Sequence, residues 1–483
     1  MPLPQLLARS LVFVTSAAVL ILEILAGRLL APYLGVSLEV FTGIIGVILA
    51  GISVGAWAGG RAADRGDPRR LIGPLLVAGG LTAMAAPLLV DLIGPATSTG
   101  ALSIVGLTLI GFFAPAAVLS AIPPIVVKIR LASLQETGSV VGAYSAIGTA
   151  GALFGTFVTG FVLIAAFPTR PIVIVVGVLL VLLGVVLWSS RTVLSTAASV
   201  GAVALLGWLL VVFDGPCQYE TSYHCAVVEV DPERPTGRLL ILDTGHNSYV
   251  DLEDPTHLEF RYLEVMVDLI DTEMPAGPLN VLSIGGGGFT LPGYLDATRP
   301  GSDQKVLEID SKLVDIGRAD LGFDDEATVV VDDARRSIDG VPPGSVDVAV
   351  GDAFSGLTVP WHLTTLEFVE TVGEKLAPGG LYTINIIDRP TALFARAEAA
   401  TLGQVFEHVA VFAPPGYFTG DAGGNYVLVG SHDPIDMERM ASATAARRGT
   451  ELGLIGPGLD RFVDGADPLT DDFAPVDQML TGL

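Results

Sequence analysis

Cysteine is almost absent from this 483-residue chain, which has only Cys217 and Cys225, both in the segment CQYETSYHC. The segment lacks the full set of Cys and His ligands of a zinc site, so no metal centre is expected. Two interpretations of the pair stay open. The cysteines form a disulfide at the start of an exported segment, or they are two small buried apolar side chains.

Charge is also scarce, because charged residues make up 16% of the chain, and basic residues are about half as numerous as acidic ones, 26 against 51. Residues 1–213 hold 10 basic and 6 acidic residues, whereas residues 214–483 hold 16 and 45. The second part is therefore strongly acidic. This argues against nucleic acid or an anionic membrane surface as its partner and favours a cationic substrate.

Long apolar runs account for the hydrophobic fraction of 51% and the mean hydropathy of +0.61. Seven stretches precede residue 214, each near the roughly 20 residues that a membrane-spanning helix needs. They lie at about 10–31, 38–60, 71–93, 101–127, 140–166, 171–189 and 192–213. The first carries Glu23 and leads directly into the second, unlike a signal peptide. Residues 1–213 are thus predicted to be a multi-pass domain of about seven helices in a lipid bilayer.

Two details concern the packing of these helices. Gly151 and Gly155 lie four residues apart in the fifth stretch, which predicts a small-residue face for close helix contact. Pro123 and Pro124 are expected to break or kink the fourth.

The basic residues in the short connections predict the orientation of the spans. One end has Arg28 and Arg170, and the other has eight: Arg9, Arg61, Arg65, Arg69, Arg70, Lys128, Arg130 and Arg191. The positive-inside rule places the richer end in the cytoplasm. With seven spans, the C-terminal domain is then extracytoplasmic, and one span more or fewer reverses this prediction.

The remainder of the chain divides by pattern. Residues 214–260 predict a linker and a small antiparallel β lead-in, since short β-like runs alternate with turn signals such as DPERPTG. Residues 261–483 alternate strands and helices, which predicts an α/β Rossmann-like domain with a parallel sheet. Its strands are predicted at 279–284, 305–310, 328–333, 346–352, 381–387, 407–413 and 424–430.

Residues 279–310 are the most informative stretch. They predict a strand, four glycines from position 285 to 288, a helix with Pro292 in its first turn, and a second strand with Glu308 at its end. Glycines at a strand-to-helix junction let the backbone approach a ligand closely. An acidic residue about 20 positions on accepts hydrogen bonds from a ribose. The stretch predicts a nucleoside site.

Further carboxylates follow the next strands. Asp332 and Asp333 end the third predicted strand and Asp352 ends the fourth. Because ligands bind outside the carboxyl ends of such strands, these acids are expected to meet at the glycine loop. A carboxylate there accepts a hydrogen bond from a base or a proton from a nucleophilic amine. Taken singly, each acid is better explained as a helix N-cap or a solvated loop charge, but four acids in register favour a site.

The second half resembles the spermidine synthase (polyamine aminopropyltransferase) family, and the whole chain resembles the members with a multi-span N-terminal region. The resemblance is carried by SIGGGGFTLPGYL, VLEID, VDDARRSI, DVAVGDAFSGLTVPWHLTTLEFV and KLAPGGLYTINIID. It extends back over RLLILDTGHNSYVDLEDPTHLEFRYLE and forward to LTDDFAPVDQML, about 260 residues in all.

The resemblance implies a methyltransferase-type fold that binds decarboxylated S-adenosylmethionine, or S-adenosylmethionine, and an amine such as putrescine. Glu308 would hold the ribose and Asp333, beside Asp332, the adenine amino group. Asp352 would be the catalytic base, and Tyr262 would line the diamine pocket. The backbone would approach the donor at Gly285, Gly286 and Gly287.

The chain also departs from the family pattern. Gly288 stands where an Asp usually follows the glycines, and Ser355 stands where a second Asp usually grips the distal amine. The lead-in offers His246-Asn247-Ser248 in place of the usual Gln. The residues that the resemblance assigns to the donor thus match the family better than those that it assigns to the amines.

Three hypotheses remain: an aminopropyltransferase, another S-adenosylmethionine-dependent transferase such as a methyltransferase, and a non-enzymatic ligand-binding module. His362 either lines the acceptor pocket or is structural, and Asp471 and Asp472 either close the site or cap a helix. A second copy of the chain, in a homo-oligomer, is a further partner hypothesis.

Overall fold

The computed structural model describes residues 4–97, 100–131, 137–188, 193–212, 215–324, 327–356, 358–448, 453–456 and 458–481. The chain divides into two compact units, Met1–Ala226 and Val227–Leu483. Arg191, one of the basic residues counted for orientation, lies outside the described residues. The predicted boundaries after residues 213 and 260 stay predictions.

The first unit is helical. Its helices are α1 (Gln5–Leu34), α2 (Leu38–Arg65), α3 (Arg69–Ile93), α4 (Ala101–Thr108), α5 (Ala114–Ser120), α6 (Ile122–Arg130), α7 (Thr137–Val158), α8 (Ile164–Ala166), α9 (Thr169–Leu187) and α10 (Val193–Val212). Within the described ranges, they form six segments long and apolar enough to cross a membrane: Gln5–Leu34, Leu38–Arg65, Arg69–Ala96, Ala101–Arg130, Thr137–Ala166 and Thr169–Leu187. In the seventh predicted place, α10 has a shorter apolar part, Ala197–Val212.

The close helix contact predicted from the two glycines and the break predicted from the two prolines both occur in this unit. A Cβ on Gly151 would lie 2.3 Å from the carbonyl oxygen of Phe13, and one on Gly155 would lie 2.5 Å from that of Ala17. Glycine is therefore required for α1 and α7 to touch. The fourth long segment is interrupted at Ala121, between α5 and α6, two residues before Pro123. It also contains a π-helical turn at Leu109–Phe113.

The end of the first unit is fixed by a disulfide and by polar contacts. Cys217 and Cys225 are bonded to each other. Strand β1 (Tyr219–Glu220) pairs with the start of β2 (Cys225–Val230), and the division between the units falls inside β2. The Glu220 carboxylate accepts a 3.0 Å hydrogen bond from the backbone N–H of Thr169, and the Arg28 guanidinium lies 3.6 Å from it. The disulfide segment thus lies at the same end of the first unit as Arg28.

The second unit is α/β. After the antiparallel pair β3 (Gly237–Leu242) and β4 (Gly245–Asp251) come α11 (Arg261–Glu273), β5 (Asn280–Ile284), α12 (Thr290–Thr298), β6 (Asp303–Glu308), α13 (Ser311–Asp320), β7 (Thr328–Val331), α14 (Ala334–Ser337) and β8 (Val346–Gly351). There follow α15 (Leu366–Lys375), β9 (Leu376–Asp388), α16 (Leu393–Val405), β10 (His408–Ala413), α17 (Pro415–Phe418), β11 (Gly424–Ser431), α18 (Met437–Arg448), β12 (Gly453–Ile455), α19 (Leu459–Phe462) and α20 (Val476–Thr481).

Strands β5 to β12 form one sheet in the order β12-β10-β11-β9-β8-β5-β6-β7. The strands from β9 to β7 in this order pair in parallel, as predicted, because helices cross over between them. The prediction of a wholly parallel sheet is wrong for the other end, where β9, β11, β10 and β12 pair antiparallel. Residues 414–423, which join β10 to β11, are too few for a crossover connection. Strand β12 has no counterpart in the prediction.

The order of strands places the site. Strand β5 lies between β8 and β6, so the chain leaves it in one direction and returns on its other side. In open α/β sheets, such a reversal creates a crevice at the carboxyl ends of the strands. Two strands end earlier than predicted, β6 at Glu308 and β7 at Val331. Asp332 and Asp333 therefore lie in the loop beyond β7.

Candidate active site

The glycine loop after β5 lies against the start of the loop after β8. Gly285 has a φ of +96°, and a Cβ added to it would lie 2.5 Å from the carbonyl oxygen of Asp352. Both the conformation and the close approach require glycine at this position. The loop therefore brings the end of β5 directly beside Asp352.

Glu308 supports the glycine loop from the end of β6. Its side chain is buried, with Oε2 2.8 Å from the backbone N–H of Gly286 and Oε1 2.8 Å from that of Asp310. Burial raises the pKa of Glu308, and the backbone hydrogen bonds oppose that rise. Oε2 also accepts a longer bond, 3.4 Å, from the N–H of Gly287, so Oε1 is the oxygen that keeps a lone pair for a hydrogen bond from a ligand.

Asp333 and His362 come from different loops and meet. Asp333 Oδ1 caps α14 by accepting a 2.9 Å hydrogen bond from the backbone N–H of Arg335, and Asp333 Oδ2 lies 3.0 Å from His362 Nε2. Asp332 turns elsewhere, because its Oδ2 pairs with Arg336 at 2.9 Å. Of the two adjacent acids, Asp333 is the one that the structure ties to the loop after β8.

Asp352, the first residue after β8, is held by two side chains. Its Oδ2 accepts a 3.0 Å hydrogen bond from the Tyr262 hydroxyl, and its Oδ1 accepts a 2.9 Å bond from Asn385 Nδ2. Asn385 Oδ1 in turn accepts a 3.0 Å bond from Asn425 Nδ2. The structure thus brings the predicted residues Tyr262 and Asp352 together.

Asn385 and Asn425 were not among the residues selected from the sequence. Asn385 is buried in β9, within the apolar run LYTINIID, and Asn425 lies on the neighbouring strand β11. A buried amide in a strand needs a polar partner, so its place in that apolar run was an available signal.

The surroundings of Asp352 suit a proton acceptor. Burial raises the pKa of its carboxyl to about 6, against the lowering effect of the hydrogen bonds from Asn385 and Tyr262. Burial and the nearby Asp352 carboxylate raise the pKa of Tyr262 well above its ordinary value, so the phenol stays a hydrogen-bond donor. A carboxylate with a pKa near neutrality accepts a proton at the pH of the cell.

Two positions named for their departure from the family pattern have different surroundings. Ser355 is exposed, and its backbone N–H donates to the carbonyl of Thr358 at 2.7 Å. The N–H of Gly288 donates to Ser248 Oγ at 2.9 Å, and a Cβ on Gly288 would lie only 2.6 Å from Ser248 Cβ. The lead-in strand β4 therefore fills the space that a side chain at position 288 would need.

In the described part of the chain, no group of three or more His, Cys, Asp or Glu side chains is arranged to hold a metal ion. The expectation of a metal-free site stays a prediction.

Comparison with known proteins identifies the class. No family model matches the chain. The polyamine aminopropyltransferase of Chromobacterium violaceum is 26% identical over 160 residues, which cover 33% of this chain and 60% of the relative. That of Vibrio vulnificus is 28% identical over 160 residues, covering 32% and 53%. The chain thus spans little more than half the length of these curated relatives.

One solved structure matches a larger part of this chain than these two relatives do. A probable spermidine synthase from Corynebacterium glutamicum is 31% identical and has a TM-score of 0.50, and the match covers 52% of this chain and 95% of that one. The second unit therefore has the Rossmann-like α/β fold of a spermidine synthase, with a β lead-in, as predicted. The chain belongs to the spermidine-synthase-like family.

Proposed function

We propose that the second unit transfers an aminopropyl group from decarboxylated S-adenosylmethionine to a small cationic amine such as putrescine. The observation that carries this proposal is the Asp352 carboxylate, held by Tyr262 and Asn385 beside the glycine loop. The names of the relatives support it, as does the acidity of residues 214–483, which attracts cations.

The reaction needs one proton transfer and one displacement. The Asp352 carboxylate accepts a proton from the acceptor ammonium, which frees the nitrogen lone pair. That pair attacks the aminopropyl carbon bonded to the donor sulfonium, so a C–N bond forms and the C–S bond breaks. The C–S electron pair stays on sulfur and methylthioadenosine leaves as a neutral molecule. A pKa of about 6 keeps Asp352 ionised at neutral pH.

The donor would lie across the carboxyl ends of β5, β6 and β7. Glu308 would accept hydrogen bonds from the ribose hydroxyls, and Asp333 from the adenine amino group. Gly285, Gly286 and Gly287 would let the backbone come close to the nucleoside. Asp332 would contribute less, because it pairs with Arg336.

The acceptor would lie on the Asp352 side. Tyr262 would position the reacting amine together with Asp352. Ser355 and His362 would border the rest of the pocket, and neither supplies a carboxylate for a distal ammonium. We therefore expect weaker selection among amines of different length than a second acid would give.

A second candidate is another S-adenosylmethionine-dependent transferase, such as a methyltransferase. It is favoured by the contact of Gly288 with Ser248, because position 288 has no acidic side chain. An acid there would repel the carboxylate of S-adenosylmethionine, which the decarboxylated form lacks. A further relative, the N-terminal histidine N-methyltransferase of Emericella nidulans, is 28% identical over 170 residues, 33% of this chain and 30% of that protein.

Calorimetry on the purified full-length protein separates the candidates. The ligands are decarboxylated S-adenosylmethionine, S-adenosylmethionine and methylthioadenosine. Preference for the decarboxylated donor supports aminopropyl transfer, and preference for the carboxylated donor supports the methyltransferase-like reaction. Binding of none overturns both and leaves a non-enzymatic module.

We further propose that the first unit spans the membrane seven times and that the second unit is extracytoplasmic. The disulfide of Cys217 and Cys225 supports this, because disulfides persist in oxidising compartments, and so does its place at the end that holds Arg28. In a cysteine-free background, an impermeant maleimide should label Asp472→Cys in intact cells and Gly66→Cys only after lysis. The reverse pattern would overturn the orientation.

A further inference from the structure

The C-terminal tail, here residues 469–472, is bound to the segment that carries His362. The segment consists of residues 358–365 and leads from the loop after Asp352 into α15. Thr365 Oγ1 donates a 2.7 Å hydrogen bond to Asp471 Oδ1, and the Asp471 N–H donates a 2.9 Å bond to Glu367 Oε2. The N–H of Leu366 donates to the carbonyl of Leu469 at 2.8 Å. Residues more than 100 positions apart in sequence are therefore joined here.

Arg335 completes this connection from a third place in the chain. Its guanidinium binds both oxygens of the Asp471 carboxylate, at 2.8 and 2.5 Å. The same group donates to the carbonyl of His362 at 2.7 Å and to Thr365 Oγ1 at 2.9 Å. A two-point contact between Arg and a carboxylate fixes orientation as well as distance.

Arg335 also lies next to the proposed adenine site. It is two residues after Asp333, and its own backbone N–H binds Asp333 Oδ1. The other oxygen of that carboxylate lies 3.0 Å from His362 Nε2, in the segment whose carbonyl Arg335 holds. The orientation of Asp333 therefore depends on where His362 is held, and the position of His362 depends on Arg335 and Asp471.

We propose that Arg335 and Asp471 are positioning residues for the adenosyl ligand: their ion pair holds His362 against Asp333 and so presets the Asp333 carboxylate for the adenine amino group. The proposal rests on the proposed function, because it needs an adenosyl ligand at Asp333. It assigns the tail a role in donor affinity, and none in the proton transfer at Asp352. Preorganising a binding group lowers the entropy lost on binding.

A matched control lies beside Asp471. Asp472 belongs to the same motif, LTDDF, and both acids are exposed. Asp471→Asn removes the charge that Arg335 binds while keeping the size of the side chain, and Asp472→Asn makes the same chemical change at the neighbouring residue. Asp471→Glu restores the charge with a longer side chain. The three variants separate the ion pair from a general effect of acidity in the tail.

The test measures the dissociation constant of methylthioadenosine by calorimetry, and then kcat and the KM of each substrate, for the full-length protein and the three variants. Asp471→Asn should weaken methylthioadenosine binding at least fivefold and raise the donor KM similarly, with kcat within twofold of wild type and the acceptor KM, which His362 also affects, changed less than the donor KM. Asp472→Asn should match wild type and Asp471→Glu should recover part of the loss.

Two results would count against the proposal in different ways. If wild type binds methylthioadenosine and Asp471→Asn binds it equally well, the positioning role is wrong and the proposed function stands. If wild type binds no adenosyl compound, the proposed function fails and the positioning role fails with it. If Asp471→Asn has a lower melting temperature than Asp472→Asn but binds methylthioadenosine equally well, the tail only stabilises the fold and the positioning role is wrong.

Discussion

Asn385 on β9 donates a 2.9 Å hydrogen bond to Asp352 Oδ1 at the end of the neighbouring strand β8. Asn425, on the next strand, donates to Asn385. Asn385 thus holds the carboxylate directly and Asn425 holds Asn385, while the Tyr262 hydroxyl donates to the other carboxylate oxygen. These hydrogen bonds stabilise the ionised form and lower the pKa of Asp352, against the rise that burial causes.

Replacing Asn385 should therefore move the pH dependence of the reaction. In Asn385→Leu the Asp352 carboxylate loses a donor, so its pKa should rise above about 6. We expect the acidic limb of the kcat/KM profile to move up by about one pH unit, or about 1.4 kcal/mol, with little change above pH 9. Asn425→Ala, which acts only through Asn385, should give a smaller shift. An unmoved acidic limb in Asn385→Leu would show that Asp352 is not the titrating base.

Asp352→Asn tests the base directly. The amide cannot accept the proton, but the glycine loop, Glu308 and Asp333 are untouched. Turnover should fall at least tenfold, about 1.4 kcal/mol of barrier, while the dissociation constant of methylthioadenosine stays within about twofold. Turnover equal to that of wild type would refute the role assigned to Asp352.

The same substitution should change stability with pH. Because burial raises the pKa of Asp352 from its ordinary 3.8 to about 6, the folded protein binds this proton more tightly than the unfolded chain does. Ionisation of Asp352 therefore costs stability, and this cost grows as the pH rises from about 4 to 6 and is constant above that range. Asp352→Asn removes this cost, but partial exposure of the site and the loss of one hydrogen bond reduce the stability gained. The free energy of unfolding of the variant should therefore exceed that of wild type by about 1 kcal/mol at pH 8. Thermal unfolding at pH 4 and pH 8 measures the difference, which should vanish at the lower pH.

Much of the second unit follows from local patterns in the sequence. The run LNVLSI followed by four glycines and Glu308 predicts the first two strands, and the structure has them at β5 and β6. The antiparallel end of the sheet was not predicted, since strand direction depends on connection length and on which neighbour a strand meets. The pattern of β10 and β11 is equally compatible with both directions.

The contacts of the site follow less directly from the sequence. A strand end predicts that Asp333 and Asp352 lie at one edge, yet it does not predict that His362 meets Asp333 or that Asn385 meets Asp352. Those contacts join residues 29 and 33 positions apart and depend on sheet order. The contact of Arg335 with Asp471 spans 136 positions and requires the complete fold.

The last prediction concerns donor choice at Gly288 and Ser248. The N–H of Gly288 binds Ser248 Oγ, and a Cβ at position 288 would lie 2.6 Å from Ser248 Cβ. Gly288→Asp alone should therefore displace β4 from the glycine loop, weaken adenosyl binding and lower the melting temperature. Ser248→Gly removes the clashing atoms, so the double variant Ser248→Gly/Gly288→Asp should recover stability relative to Gly288→Asp alone.

The recovered double variant should also change specificity. An acid at position 288 would attract an ammonium group and repel a carboxylate, so the ratio of affinities for decarboxylated and carboxylated S-adenosylmethionine should rise at least tenfold over wild type. Ser248→Gly alone is the control and should leave that ratio unchanged. An unchanged ratio in a stable double variant would mean that position 288 does not face the variable end of the donor. Donor choice would then have to be set by another part of the site.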